Sequence, residues 1–467
     1  MPARFFLIVL LAISSFLLFF RIGTTPLYDY DEAHYAQVVR ETLESGDILT
    51  MKRFGGTWFE KPPFILWLTM GSVKIFGENE LSLRLPSALF GVLAVWGVYL
   101  VTYFLTKDYW TALAAASILI FSGMFPASAR QFRMDVPLAA TVVFALHGFL
   151  KGWRNPRWYP AFWVWTGFGV MIKSAPAFLS LPIIIIFSIV YKKWEWLKSF
   201  YFWLGTLLFL LLTLPWHVYE TLQFGSAFWD SYFGYHIWQR ATQKILGGDV
   251  TTLDYLYHLG ILNEPWFFLS LLLAAVIFLN YKKQFAGYQL AVASFLSGIL
   301  IFLVFAVART KLIFYLVPIL PFEAIFIASA TLYLRSLWRK SERFFKIIGS
   351  VALLIGIVST LLQLFYFKAP YAYSFAEDER EIGKLIKNND NGHRIYSFGW
   401  KAYETIYYYS GKNNIELVSK EELTRGLPIP YFLLMPSTYL PAKEQPGTKV
   451  LFAGDQISLI EVFKRNR

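Results

Sequence analysis

The stretch "DYDEAHYAQVV", residues 29–39, places three acids within four positions: Asp29, Asp31 and Glu32. A carboxylate set beside apolar surface titrates upward and can take a proton from a hydroxyl, which makes Asp31 a candidate general base. The plainer alternative is that Asp29 or Asp31 caps the helix predicted by the spacing of Ala33, Ala36, Val39 and Leu43. A second cluster, "WFEKPPFILWL" (58–68), sets Glu60 and Lys61 before two prolines. Prolines stiffen the backbone and end any earlier helix, so this carboxylate and ammonium are pinned. Lys61 suits a phosphate as a point charge, and Glu60 offers hard oxygen to a divalent cation; a solvated ion pair is the competing reading.

Two further clusters head apolar runs. "RQFRMDVPLA" (130–139) carries Arg130, Arg133 and Asp135. An acid at a helix N-terminus gains about 0.3–1 kcal/mol, which gives Asp135 a structural reason, and Arg133 can snorkel. "VARTKLIFYLVPILP" (307–321) sets Lys311 and Tyr315 four apart, predicted on one helix face. No two histidines stand four apart, so a zincin-type metal site is unsupported. His147 and His217 are read as ordinary polar residues at helix ends, and "LGGD" (246–249) lacks phosphate-loop spacing.

The elements that must hold these groups are apolar. The 467 residues are 56% hydrophobic and 16% charged, with a mean hydropathy of +0.47. Ordinary soluble domains run about 45–50% apolar and about 25% charged. Apolar runs of roughly 18–22 residues recur, long enough to cross a hydrocarbon layer of about 30 Å. The fold class is therefore an all-α polytopic membrane protein. About eleven spans are expected, near 4–20, 83–105, 110–127, 135–150, 158–172, 175–191, 199–216, 263–280, 288–308, 312–334 and 346–368. The first is read as a retained helix because no A-x-A-like cleavage site follows it.

The net charge of +12 sits in short loops between these runs: "KGWRNPR" (151–157), "YKKWEWLK" (191–198), "YKK" (281–283) and "RSLWRKSERFFK" (335–346). That is the positive-inside pattern, and it argues against a nucleic-acid partner. With Met1 in the cytoplasm, all four loops fall there as well. Loops 21–82 and 217–262 and the tail from about 369 then lie outside, as do Asp31, Asp135, Lys173, Arg309 and Lys311. Outer turns ordinarily avoid basic residues, so these few invite a functional reading. Cysteine is absent, which excludes disulfides and thiolate metal sites.

The tail changes character. "EDEREIGKLIKNN" (377–389) is helix-like, while "HRIYSFG" (393–399), "YFLLMPS" (431–437) and "SLIEVFK" (458–464) are strand-like, separated by turn signals such as "DNG" and "QPGTK". The expected organisation is a transmembrane domain, 1–368, and a small extracytoplasmic α/β domain, 369–467. No internal repeat is visible, which weakens an inverted-repeat transporter.

Taken together, "DEAHYA", "FEKPP", "RLPSAL" (84–89), "FRMDVPL", "LPWHVY" (214–219), "HIWQR" (236–240) and "TKLIFYLVPILP" stand in the order of one family. Over roughly residues 20–325 the sequence resembles the integral-membrane glycosyltransferases of the GT-C fold. It looks most like the aminoarabinose (lipid A) transferases and the related protein O-mannosyltransferases. At the position of His34 the former usually carry Arg and the latter often His. The resemblance implies Asp31 and Glu32 as the acidic pair, with Asp31 the catalytic base, and Asp135 as a further catalytic acid. It implies Lys61, Arg133, Lys173, Arg240, Lys311 and Tyr315 at the donor phosphate. It leaves open a divalent metal ion, with Glu60 and Asp135 as ligands, and calls for no nucleotide cofactor.

The implied reaction moves a sugar from a polyprenyl-phosphate donor to a lipid A-like lipid, a glycan or a protein. It takes place at the outer face of the cytoplasmic membrane and inverts the anomeric centre. A flippase or transporter of the same lipid-linked sugar is the alternative. That activity would place polar residues deep within several spans, whereas these charges gather at one face.

Overall fold

The computed structural model describes residues 2–28, 30–245, 250–279, 286–337, 342–365, 375–389, 392–401, 404–441 and 445–463. Asp29, "LGGD", "YKK" (281–283) and parts of "RSLWRKSERFFK" and "DNG" lie outside the described residues. The chain forms two units. One comprises Met1–Phe20, Phe59–Ser72 and Arg84–Lys368; the other comprises Arg21–Trp58, Val73–Leu83 and Ala369–Arg467.

The first unit is helical. A helix overlaps each of the eleven expected spans, but length separates them. Among the described residues, four helices are long and apolar enough to cross a membrane: Glu80–Thr106, Phe200–Phe224, Gly287–Val307 and Ile313–Leu337. The pair Thr252–Leu262 and Trp266–Leu279 makes a fifth span if taken as one, bent by 107°.

Phe200–Phe224 shows why lipid is the solvent. Phe200, Trp203, Leu207, Leu211, Leu214, Val218 and Leu222 recur at three- and four-residue steps and are exposed. On the other face Phe202, Gly205, Phe209, Thr213, Trp216 and Glu220 are buried. A stripe of leucine and aromatic side chains turned outward along a whole helix is stable in hydrocarbon and not in water. The helix runs on past the expected end at 216 because its buried face keeps its period through Glu220. His217 therefore sits inside a helix, with Nδ1 2.8 Å from the Thr213 carbonyl and Nε2 3.1 Å from the Tyr232 hydroxyl.

Asp135–Gly152 forms the centre of this unit and is buried over nearly its whole length. It packs on Tyr159–Lys173 at close range; a Cβ added at Gly148 would stand 2.9 Å from that of Ala161. Small residues at helix crossings give membrane bundles their dispersion contacts, which replace the missing hydrophobic drive.

The second unit holds the helix Asp31–Ser45, the hairpin β1 (Lys52–Arg53) and β2 (Gly56–Thr57), and the C-terminal sheet. Phe54 and Gly55 turn the hairpin with φ of 51° and 73°, the left-handed pair that a two-residue turn requires. The sheet is formed by β3 (Arg394–Phe398), β4 (Ile415–Val418), β5 (Tyr431–Pro436), β6 (Thr448–Ala453) and β7 (Ile457–Val462), in the order β4-β3-β5-β7-β6. β3 runs parallel to β4 and β5, and β7 antiparallel to β5 and β6. On one face Ile395, Phe432, Leu434 and Leu459 meet Ile382 and Ile386 of the helix Ala376–Asn388 and Ile406 of a second helix, Glu404–Ser410. On the other face Tyr396, Leu433, Met435 and Ile460 form a second layer.

Candidate active site

Four segments of the first unit converge. The first is "FEKPPF". Pro63 precedes the helix Phe64–Phe76, and its carbonyl accepts from the Trp67 N–H at 2.8 Å. Proline suits a helix start because its missing N–H would have no partner there. Glu60 and Lys61 are thereby held just before a rigid turn, 8% and 9% exposed. Lys61 Nζ donates to Glu60 Oε1 at 3.1 Å.

The second segment is the helical stretch Asp230–Gln239, opened to π-type winding and continued by Arg240–Thr242. Such widened turns are frequent at functional sites. Arg240 Nη2 lies 3.0 Å from Glu60 Oε1, and His236 Nδ1 lies 3.9 Å from the same oxygen.

The third segment is the end of Tyr159–Lys173 and the head of Asp135–Gly152. Lys173 closes its helix, where a cation is favoured, and the backbone breaks at Ser174 with φ 56°. Its ammonium donates to Asp135 Oδ1. Arg133 Nε stands 3.4 Å from Asp135 Oδ2, and its guanidinium carbon lies 3.3 Å from the centre of the Phe314 ring. Ser87 of "RLPSAL" fixes this turn: its hydroxyl donates to the Arg133 carbonyl at 2.9 Å.

The fourth segment is 308–315. The N–H groups of Arg309 and Thr310 donate to the carbonyls of Ala241 and Arg240 at 3.0 and 3.1 Å. The Thr310 hydroxyl donates to the Gln243 carbonyl at 2.9 Å. These bonds satisfy the end of the Arg240 turn, and they overturn one expectation. Lys311 and Tyr315 do not share a helix face, because Lys311 precedes the 3₁₀ turn Ile313–Ile319 and the backbone before it is committed elsewhere. Tyr315 lies beneath Lys173, whose Nζ is 4.6 Å from its ring centre.

These segments surround a cavity of about 390 Å³. Lys61, Lys173, Arg240, Glu60, His236 and Tyr315 give it one polar end, and Pro176, Phe178, Leu179, Pro182, Val304 and Phe305 line the rest. Burial pulls the Lys61 ammonium below its ordinary value; Glu60 opposes this, while Arg240 and Lys173 reinforce it. Lys61 and Arg240 share the Glu60 carboxylate while Lys173 and Arg133 share that of Asp135, so four cations meet two carboxylates in a buried space, an excess that an anionic ligand would offset.

The expected phosphate ligands Lys61, Lys173, Arg240 and Tyr315 thus come together, with Arg133 and Asp135 behind Lys173. Lys311 is not among the lining residues; its ammonium donates to the Ala308 carbonyl at 2.7 Å. Asp31 and Glu32 belong to the other unit, at the start of Asp31–Ser45. The N-cap residue of that helix, Tyr30, makes no side-chain capping bond, and Glu32 Oε2 accepts from the Tyr28 N–H at 2.9 Å, a structural task. His236 was missed by asking only for paired histidines; its spacing of four from Arg240 was the available signal.

A divalent ion does not fit the donors described. Both oxygens of Asp135 face cations, and Glu60 Oε1 is shared by Lys61 and Arg240. Among the described residues no three His, Asp or Glu side chains converge as a metal site.

A family model described as dolichyl-phosphate-mannose-protein mannosyltransferase matches residues 60–219, the part that carries two of the four segments, "FEKPPF" and the Asp135–Lys173 pair. The fold is similar to that of ArnT from Cupriavidus metallidurans bound to undecaprenyl phosphate, with a TM-score of 0.73 at 18% identity over 97% of both chains. The chain has the GT-C fold. An Archaeoglobus fulgidus oligosaccharyltransferase has a related fold, with a TM-score of 0.59 at 14% identity over 92% of this GT-C chain and 68% of that one. Among relatives, a protein of Aquifex aeolicus is 26% identical over 86% of each chain. An undecaprenyl phosphate-alpha-4-amino-4-deoxy-L-arabinose arabinosyl transferase of Pseudomonas fluorescens is 28% identical, over 76% of this GT-C chain. One of Shewanella sediminis is 25% identical over 66%. The matched stretch spans 61% and 56% of those two transferases.

Proposed function

We propose that this protein transfers a sugar from a polyprenyl-phosphate donor to an acceptor hydroxyl or phosphate on a lipid A-like lipid, a glycan or a protein. The observation that carries this is the cavity with Lys61, Lys173 and Arg240 at one end and an apolar wall beyond. A phosphodiester with an isoprenoid tail has that same division of charge. The relatives whose names specify undecaprenyl-phosphate-linked aminoarabinose support the donor class.

In this reading the acceptor oxygen attacks the anomeric carbon as the bond from that carbon to the phosphate oxygen breaks. The electron pair leaves with the polyprenyl phosphate, and the attacking hydroxyl gives its proton to Asp31. Attack opposite the leaving group inverts the centre. Charge growing on the phosphate is what Lys61, Lys173 and Arg240 stabilise, while Asp135 and Arg133 hold Lys173. No step is assigned to a metal or a nucleotide. About eleven crossings with Met1 in the cytoplasm put these loops, and the domain 369–467, on the extracytoplasmic side.

The test incubates the purified chain with labelled undecaprenyl-phosphate sugars and a membrane-lipid extract. Label appearing in an acceptor, with release of undecaprenyl phosphate, supports the reading. Translocation without transfer would replace it with a lipid-sugar transporter.

A further inference from the structure

The C-terminal segment contains a short helix, Glu404–Ser410, with the sequence ETIYYYS. Three consecutive tyrosines on a helix cannot share a face, because successive side chains turn by about 100°. Here each finds a different partner. Tyr407 sets its ring edge-on to Phe54 of the hairpin turn at 5.5 Å. Tyr408 lies under the Arg40 guanidinium at 3.9 Å; its carbonyl accepts from Arg40 Nη1 at 2.5 Å, and its hydroxyl donates to Glu78 at 2.7 Å. The Tyr409 hydroxyl donates to Glu80 at 2.8 Å and accepts from the Leu27 N–H at 3.0 Å.

Glu404 supplies a fourth direction. It accepts from Arg53 of β1 and lies 3.7 Å from His34 Nδ1, while His34 Nε2 accepts from the Trp58 indole N–H at 2.8 Å. Glu404, Thr405, Ile406 and Tyr408 are all buried. One seven-residue helix therefore touches residues 27, 34, 40, 53, 54, 78 and 80, reaching both stretches of the first outer loop that belong to this unit. His34 stands three residues beyond Asp31 and Arg40 nine beyond, so Asp31–Ser45 is gripped near its start and again after two more turns. Two grips at different heights fix a helix against both rolling and sliding.

We infer that Glu404–Ser410 is a positioning element for sugar transfer, which sets the place of the Asp31 carboxylate through Glu404 beside His34 and Tyr408 beneath Arg40. The inference rests on the assignment of Asp31 as the base. Glu404 and Tyr408 are positioning residues and touch no substrate in it. The same contacts explain why a chain would tie its last quarter to a loop more than 300 residues earlier.

The experiment uses the full chain in nanodiscs, comparing Glu404→Ala, Tyr408→Ala and Tyr408→Phe with Asp31→Asn. Misplacing a reacting group by about 1 Å costs roughly a hundredfold, so both alanine variants are expected to lose about tenfold or more in kcat with donor KM within about twofold of wild type. Tyr408→Phe keeps the ring under Arg40 and should recover most of the rate. Amide exchange in residues 31–45 should quicken in the alanine variants while that in 135–152 and 431–436 stays slow, which separates a lost grip from failure to fold. Wild-type kcat, or unchanged exchange in 31–45, overturns the inference while leaving the transfer reaction standing. Full activity in Asp31→Asn overturns it together with the base assignment.

Discussion

Lys173 and Asp135 form a buried ion pair whose ammonium also stands 4.6 Å from the centre of the Tyr315 ring. Asp135 is 3% exposed, does not line the cavity, and has a cation on each oxygen. Its charge therefore reaches the cavity only through its pairing with Lys173, which does line it. Removing one partner of a buried pair leaves an uncompensated charge and costs about 3–5 kcal/mol. Asp135→Asn and Lys173→Met should each lower the unfolding temperature in detergent more than the double variant does. All three should lose donor affinity. Additive losses of stability in the double variant would show that the two side chains act separately.

Lys61 offers a pH test with a definite sign. Burial depresses its ammonium from the ordinary 10.5, so the folded, donor-free site loses this charge at lower pH than a free lysine would. Donor KM should rise on the alkaline side before ordinary lysines titrate. Lys61→Arg, which stays charged, should move that rise upward or abolish it. An identical alkaline limb in the two proteins would remove Lys61 from the phosphate.

Asp31→Asn keeps the size of the side chain and removes its basicity. Loss of a general base costs about 10²–10⁴ in rate, so transfer to a hydroxyl acceptor should fall by that factor with donor binding intact. Retained turnover with a hydroxyl acceptor would assign the proton elsewhere.

The second unit should loosen in acid. Burial alone would raise the Glu404 carboxyl, but His34 and Arg53 together hold it below the ordinary 4.5; Arg40 and Tyr408 do the same for Glu78 against its own burial. A carboxylate depressed in the folded state stabilises above its unfolded value and loses that contribution as pH falls through the folded one. Amide protection of residues 31–45 should therefore drop as pH is lowered through and below about 4.5, in a variant-sensitive way. Glu404→Gln should flatten that drop.

Much of this was legible in the residues. Apolar runs gave the helices, since hydropathy reports the solvent directly; Glu60, Lys61 and Lys173 line the cavity, the cluster at 133–135 lies behind Lys173, and Arg240 was reached only through the family resemblance. Within the tail, β3, β5 and β7 are the strands buried along most of their length, and they were foreseen. The two strands that were not, β4 and β6, are the edges of the sheet, where "IELV" and "TKVLFA" mix exposed and buried positions and carry a weaker pattern. Lys311 was misplaced because four-residue spacing presumes a helix, and only tertiary hydrogen bonds from Arg309 and Thr310 reveal that there is none. The tyrosines at 407–409 gave no signal, since their partners lie more than 300 residues away.

The widened winding of Asp230–Gln239 has a consequence for how this surface can change. A π-type stretch is an α-helix carrying surplus residues, each of which rotates everything downstream by about 100°. Deleting a single residue between 231 and 235 would let the segment relax toward ordinary winding and swing Arg240 off Glu60, with no alteration to either side chain. Insertions and deletions in this segment, rather than point substitutions, are then the economical route by which such a pocket could be retuned to a different anionic head group.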